Sequence, residues 1–332
     1  MEKEKINNNS TNIIINNNNS INLNKNNNNF NIISTIKFHK EIVYCLKILN
    51  DNRIASSSYD SSINIFTLIE LKLLISIKSI KLPILYIDQL KDNTLICCSS
   101  DSKIYLIKLL NNNMYEIVQE LINHTKWVNK VIEINNMNLI SCSFDNKIKI
   151  WKKNNNNNLY FNSDEIKFKE HIFDIIEISN NKIISSHNVN ILNVIDINKK
   201  TIINKLKVED KSNWNNNLCL INKNILIFAA NKYIHLINII EMKILFFILI
   251  ENKIGSIISF YNNNNNNNNN DNIFYTGDKK GNLIQWKIIN EKIVLNYYKN
   301  VHSNWINNIK IDKYNRIITA SEDGLIKIIE II

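Results

Sequence analysis

A twelve-residue segment, ISCSFDNKIKIW at 140–151, recurs along the chain, and this recurrence limits the fold more than any other feature. It aligns without gaps to ASSSYDSSINIF (55–66), ICCSSDSKIYLI (96–107) and ITASEDGLIKII (318–329). Weaker copies are ISSHNVNILNVI (184–195), LIFAANKYIHLI (226–237) and YTGDKKGNLIQW (275–286). The position held by Asp145 falls at 60, 101, 145, 189, 231, 280 and 323, in steps of 41, 44, 44, 42, 49 and 43. The long step contains the run Asn262–Asn270, and without those nine asparagines it is 40. Each copy alternates apolar and polar residues with period two, as in INIF, IYLI, IKIW and IKII, and ends in Asn, Ser or Asp clusters. That pattern predicts seven all-strand units and no long helix.

The repeat columns have a physical reading. Three and five positions after the Asp145 column stand Ile63/Ile65, Ile104/Leu106, Ile148/Ile150, Leu192/Val194, Ile234/Leu236 and Ile326/Ile328. Residues two apart on a strand share a face, so each pair is expected on a buried side. The sixth copy keeps Leu283 but has Gln285. Six positions after the column come Phe66, Ile107, Trp151, Ile195, Ile237, Trp286 and Ile329. In three copies a histidine stands 21 residues before the aspartate: His39 and Asp60, His124 and Asp145, His302 and Asp323.

From about residue 30 to the end, these copies and their spacing resemble the WD-repeat β-propeller family, whose blades are four-stranded and recur every ~40–45 residues. With tryptophan at two of seven expected positions, the chain resembles a degenerate member. The resemblance implies an all-β fold, a seven-bladed propeller over 30–332, behind an Asn-rich segment 1–29 whose composition reads as disordered. It also implies a buried hydrogen-bond tetrad of His, Ser or Thr, Asp and Trp. Blade three keeps all four members in His124, Ser141, Asp145 and Trp151. Blade one keeps His39, Ser56 and Asp60 with Phe66, and blade seven His302, Thr319 and Asp323 with Ile329. Blades four and five, with Val189 and Asn231 in the aspartate column, are expected to be the softest. The last copy ends after its third strand, so residues 31–38 are expected to supply the fourth and remove an open edge.

Composition narrows the function classes. The chain has 332 residues, four glycines and one proline, which excludes collagen-like and Pro-rich architectures. Its charge is +10, but only Arg53 and Arg316 are arginines, and bidentate readout of phosphate or guanine favours arginine. Isoleucine, asparagine and lysine dominate and share A/T-rich codons, so the surplus reads as compositional, against a basic binding patch. Cys45, Cys97, Cys98, Cys142 and Cys219 have no CxxC spacing and sit in apolar runs, which reads as buried reduced thiols in a cytoplasmic or nuclear compartment. The N-terminus has no apolar signal region, and the greasiest run, Ile244–Ile250, is too short to span a bilayer.

No P-loop, GxGxxG, HExxH or EF-hand pattern occurs, so neither a cofactor nor a metal is expected. Ser141, His124 and Asp145 invite a hydrolase triad, but the trio recurs in two further blades and lacks the GxSxG elbow, so a structural role accounts for it better. The chain is expected not to be an enzyme.

What remains is a surface. On the family's blade plan, Asn111–Asn113, Asn154–Asn158 and Asn262–Asn270 fall in loops of the bottom face, where insertions are tolerated because nothing docks, and only Asn215–Asn217, near the start of blade five's first strand, lies elsewhere. The opposite, top face is therefore the expected working face. Two top columns are diagnostic in the family. The residue before the turn aspartate reads Tyr59, Ser100, Phe144, Asn188, Ala230, Lys279 and Glu322. The residue three after the histidine gives Trp127 and Trp305, with His171 and Trp214 in equivalent places. Aromatics there suit an interface hot spot, with Lys279, Glu322 and Lys211 as a polar rim. The expected function is a non-catalytic scaffold, monomeric within a larger complex, that binds a peptide or protein on its top face. Alternatives are nucleic-acid association through the lysines and a ubiquitin-ligase substrate receptor acting through a separate adaptor.

Overall fold

In a computed structural model of the chain, residues 30–134, 137–208, 216–259 and 273–331 are described, together with the backbone of Ile15–Asn16 and Ser20–Ile21. The expectation for 1–29 otherwise lies outside the described residues, as do Lys211 and Trp214.

The strands form seven sheets, six of four strands and one of six, and the fold is a seven-bladed β-propeller. Blade one holds Val43–Ile48, Arg53–Ser58, Ile63–Thr67 and Leu73–Ile77. Blade three holds Val128–Glu133, Leu139–Ser143, Lys147–Lys153 and Tyr160–Lys167. Blade seven takes Ile306–Ile311, Ile317–Ser321 and Ile326–Ile331 from the C-terminus, and its fourth strand is Phe30–Ile36. Blade five carries two additional short strands at its outer edge.

The chain divides into two compact units. One comprises Thr35–Val208 with Ala320–Ile326 and contains blades one to four. The other comprises Met1–Ser34, Glu209–Thr319 and Lys327–Ile332, and contains blades five and six and most of blade seven.

Within each unit the core lies between successive blades, and the repeat columns build it. Ile63 and Ile65 of blade one pack with Ile84 and Ile87 of blade two. Ile104 and Leu106 pack with Val128 and Val131 of blade three, and Ile148 and Ile150 with Ile172 and Ile175 of blade four. In the other unit Ile234 and Leu236 meet Ile254 and Phe274, while Leu283 meets Ile306 and Ile309. The residue six after the aspartate column faces the preceding blade. Trp151 joins Leu90, Ile96 and Cys98 of blade two, and Trp286 joins Ile227 and Leu236 of blade five. Strand alternation explains both directions, since odd and even offsets point to opposite faces. Each fully buried isoleucine or leucine contributes about 2 kcal/mol of transfer free energy.

The buried polar exception, Gln285, is satisfied: its Nε2 donates to the Tyr275 hydroxyl at 2.6 Å, and Asn296 donates to its Oε1. All five cysteines are buried, and none of them forms a disulfide. Among the described residues, no helix is long and apolar enough to cross a membrane.

Blade five departs from the ungapped repeat. In blade three Cys142 pairs with Ile148, whereas in blade five Ala229 pairs with Ile234, so the turn between its second and third strands is one residue shorter. Asn231 takes the left-handed conformation (φ 52°) that the tight turn needs. Ala230 is therefore the last residue of a strand and not a turn tip.

Candidate partner-binding face

The turn between the second and third strands is organised by one carboxylate. Asp60, Asp101, Asp145 and Asp323 each accept the backbone N–H two residues on, at 3.0 Å, which is the local hydrogen bond that makes aspartate a turn former. The next residue has positive φ: Ser61, Ser102, Asn146, Asn190, Gly281 or Gly324. In blade six the aspartate sits two residues earlier. The fully buried Asp278 accepts the amides of Lys280 and Asn282, each at 2.9 Å.

Blade three holds the complete tetrad. His124 Nδ1 lies 2.8 Å from Asp145, its Nε2 lies 2.7 Å from Ser141 Oγ, and Trp151 Nε1 donates to the same Oγ at 2.8 Å. Because the carboxylate only accepts, Nδ1 carries the proton and Ser141 donates to Nε2. Burial lowers the pKa of His124 despite the neighbouring Asp145. Burial works to raise the Asp145 carboxyl, but hydrogen bonds, with His124 first, bring it below the ordinary value. At neutral pH the pair is thus a hydrogen bond between neutral imidazole and carboxylate. Ser141 has no exposed surface and its oxygen is engaged on both sides, which suits a structural hydroxyl and not a nucleophile.

The other blades vary the theme. In blade one His39 reaches Asp60 at 3.2 Å and Ser56 at 2.7 Å, and Phe66, where the tryptophan would stand, packs edge-on against Phe38. In blade seven His302 Nε2 lies 2.8 Å from Thr319 Oγ1. A further column, four residues after the aspartate, escaped sequence reasoning. In blade three Lys149 is buried and donates to Asn123 and Glu165, both at 2.9 Å. Tyr105 in blade two donates to Asp101 at 2.5 Å, and Asn193 in blade four lies 2.8 Å from His187, which itself contacts Ser185 at 2.9 Å. Blade five has none of this: Phe228 and His235 are cross-strand partners, and the His235 ring stacks between aromatic rings. The signal was present, since this column reads Asn64, Tyr105, Lys149, Asn193, His235, Ile284 and Lys327, polar or hydrogen-bonding in six of seven copies though set between two apolar positions.

The two top columns meet through one backbone hydrogen bond. Phe144 N–H donates to Trp127 O at 3.0 Å, Asn188 to His171 at 3.1 Å, Tyr59 to Ile42 at 2.9 Å and Lys279 to Lys253 at 2.8 Å. In the unit of blades one to four the rings form a continuous group. Trp127 stacks on Phe144 with centroids 6.0 Å apart, and Phe144 meets His171 and Phe173, each at 5.3 Å. His171 Nδ1 is fixed by Asn146 at 2.6 Å. Trp127 and Tyr59 are each 51% exposed. Tyr59 lies 6.3 Å from Tyr44, whose phenol pKa is raised by burial and then by Tyr59 and Glu322. In the other unit Lys279 Nζ sits 5.6 Å from the Trp305 ring centre, a cation–π contact. Tyr44 and Phe173, second residues of first strands, were not anticipated; each stands one past a buried strand start and so on the opposite side. Among the described residues no three His, Cys, Asp or Glu side chains cluster as a metal site would require.

Aspartate-held turns in five of the seven blades, with histidine–hydroxyl bridges in blades one, three and seven, resemble the blades of a WD-repeat propeller. The family model for the WD domain, G-beta repeat, matches residues 30–67 and 115–152. Solved structures with the same fold include the WD40 β-propeller domain of Doa1 (TM-score 0.75, 15% identity, covering 91% of this chain and 97% of that one). U3-55K is similar at TM-score 0.76 and 14% identity, over 92% and 99% of the two chains. No curated protein sequence matches significantly. Two segments thus match the WD repeat, and the chain as a whole has the β-propeller fold of these structures.

Proposed function

We propose that the chain is a non-catalytic interaction platform that takes a peptide or protein loop on the face carrying the turns between second and third strands. The observation that carries this is the Trp127–Phe144–His171–Phe173 ring group, with Trp127 half exposed although held in place by backbone hydrogen bonding. Rigid, partly exposed aromatics give a large apolar contact at low entropic cost, the chemistry of interface anchors. The lysine surplus is a weaker basis for nucleic-acid binding. Lys103, Lys130, Lys147, Lys149 and Lys153 are each paired with a carboxylate within 3.1 Å, which leaves fewer cations for phosphate.

The test compares full-length wild type with Trp127→Ala plus Phe144→Ala as affinity baits. Partners retained by wild type should be lost by the double variant while its thermal unfolding is unchanged. An identical set of partners on a folded double variant overturns the reading.

A further inference from the structure

The outer strand of blade five, Lys243–Ile250, reads KILFFILI, with no polar side chain between Lys243 and Glu251. The corresponding strands of other blades carry charges or polar residues. Tyr115–Ile122 has Glu116 and Glu120, Tyr160–Lys167 has Asp164 and Glu165, Thr201–Lys207 has Lys205 and Lys207, and Phe30–Ile36 has Asn31, Ser34 and Thr35. Outer strands expose unpaired backbone groups, and charge or polarity on them is the usual protection against pairing with another chain. Lys243–Ile250 lacks that protection, and Phe247 on it is 40% exposed.

The edge is occupied instead. Ser20–Ile21 lies alongside in parallel register, Ser20 opposite Leu249 and Ile21 opposite Ile250. Ile15–Asn16 pairs antiparallel on Ser20–Ile21, which makes blade five a six-stranded sheet. The Ile250 N–H donates inward to Lys232 O at 2.9 Å, so by alternation the amides of Leu249 and Phe247 point outward to this edge. The pairing is short, and an added strand held by few hydrogen bonds opens readily.

We propose that the outer edge of blade five is a strand-accepting site, kept filled by the chain's own segment around Ser20–Ile21. When that segment is withdrawn, the site takes another uncharged, extended peptide in the same parallel register. Recognition comes from main-chain hydrogen bonds, with Ile and Leu side chains seated on the apolar strand. The proposal is independent of the turn-face reading, because it concerns a different edge of the fold.

The experiment uses the full-length chain and Ile21→Pro, which removes an N–H and disfavours pairing without altering the blade. Hydrogen exchange of peptides spanning 243–250 should be at least fivefold faster in Ile21→Pro, with thermal unfolding unchanged. A fluorescent synthetic peptide of residues 17–24 with blocked termini should bind Ile21→Pro at least tenfold more tightly than wild type. Phe247→Lys in the Ile21→Pro background should abolish that binding by placing a charge on the edge. Equal exchange in wild type and Ile21→Pro, or equal peptide affinity, overturns the proposal. So does a wild-type dimer that Ile21→Pro converts to monomer, because the segment would then fill a second copy's edge.

Discussion

The amide of Phe144 donates to the carbonyl of Trp127 at 3.0 Å, and their rings stack at an interplanar angle of 26°. The bond belongs to the main chain, so the two positions stay together whatever side chains they carry. Asn188 and His171 in blade four, and Tyr59 and Ile42 in blade one, repeat it. Single substitutions Trp127→Ala and Phe144→Ala should therefore leave the loops in place. Each is expected to cost about 1 kcal/mol in urea unfolding, since Trp127 is half exposed and Phe144 only partly buried. A loss several times larger would make these rings core and not surface.

Ser141→Ala leaves Trp151 Nε1 and His124 Nε2 buried without their shared partner. The expected loss is about 1–3 kcal/mol, measured as a shift in the urea midpoint at constant slope. Ser100→Ala in blade two, at a turn tip outside any tetrad, should stay within about 0.5 kcal/mol.

Phe30 is fully buried among Tyr275, Leu283 and Ile329, and its carbonyl accepts from Lys299 Nζ at 2.7 Å. Removing residues 1–37 deletes the fourth strand of blade seven and should abolish a single cooperative thermal transition. Removing residues 1–25 spares that strand and should melt like wild type. Equal melting of the two truncations would refute the closing role of Phe30–Ile36.

His187 and His235 are buried, and burial pushes the pKa of each down to about 4 from the ordinary 6.5. Their folded-state pKa values are depressed, so the unfolded chain takes the proton more readily. Stability is complete above about pH 6.5 and is lost as the pH falls towards 4. Between pH 7.5 and pH 5.0 the loss should be about 2 kcal/mol per histidine. His235→Phe should shrink the pH dependence and stabilise the fold at pH 7, because both ring nitrogens of His235 are buried without a hydrogen bond in a nest of Phe228, Tyr233 and Phe247. Urea unfolding at the two pH values reads both effects. An unchanged pH dependence in His235→Phe would contradict the assignment.

Gly281 has φ 78°, and a Cβ added there would lie 2.0 Å from His302 O. Backbone cannot yield as a flexible side chain does, so Gly281→Ala should destabilise by more than about 2 kcal/mol. Gly324 shares the φ but has its nearest contact, Glu41 O, at 3.3 Å, so Gly324→Ala should cost less. Thermal unfolding of the two variants ranks them.

The blade number, the strand periodicity and the inter-blade core were legible because they are properties of spacing. Ile148 and Ile150, two residues apart, can face only one side of a strand, and Trp151 must face the other. The missing fourth strand of blade seven was legible by subtraction. Three things were decided only in three dimensions. The tight turn at Asn231 shortens blade five by one residue, which an ungapped comparison cannot register. Asp278 replaces the column aspartate from two positions away, because a buried carboxylate needs only amides within reach and not a fixed offset. Ser20–Ile21 settles on an outer strand that is wholly apolar beyond Lys243. Repetition writes local geometry into sequence; which distant segment pairs with which edge depends on hydrogen-bonding groups that every residue carries alike.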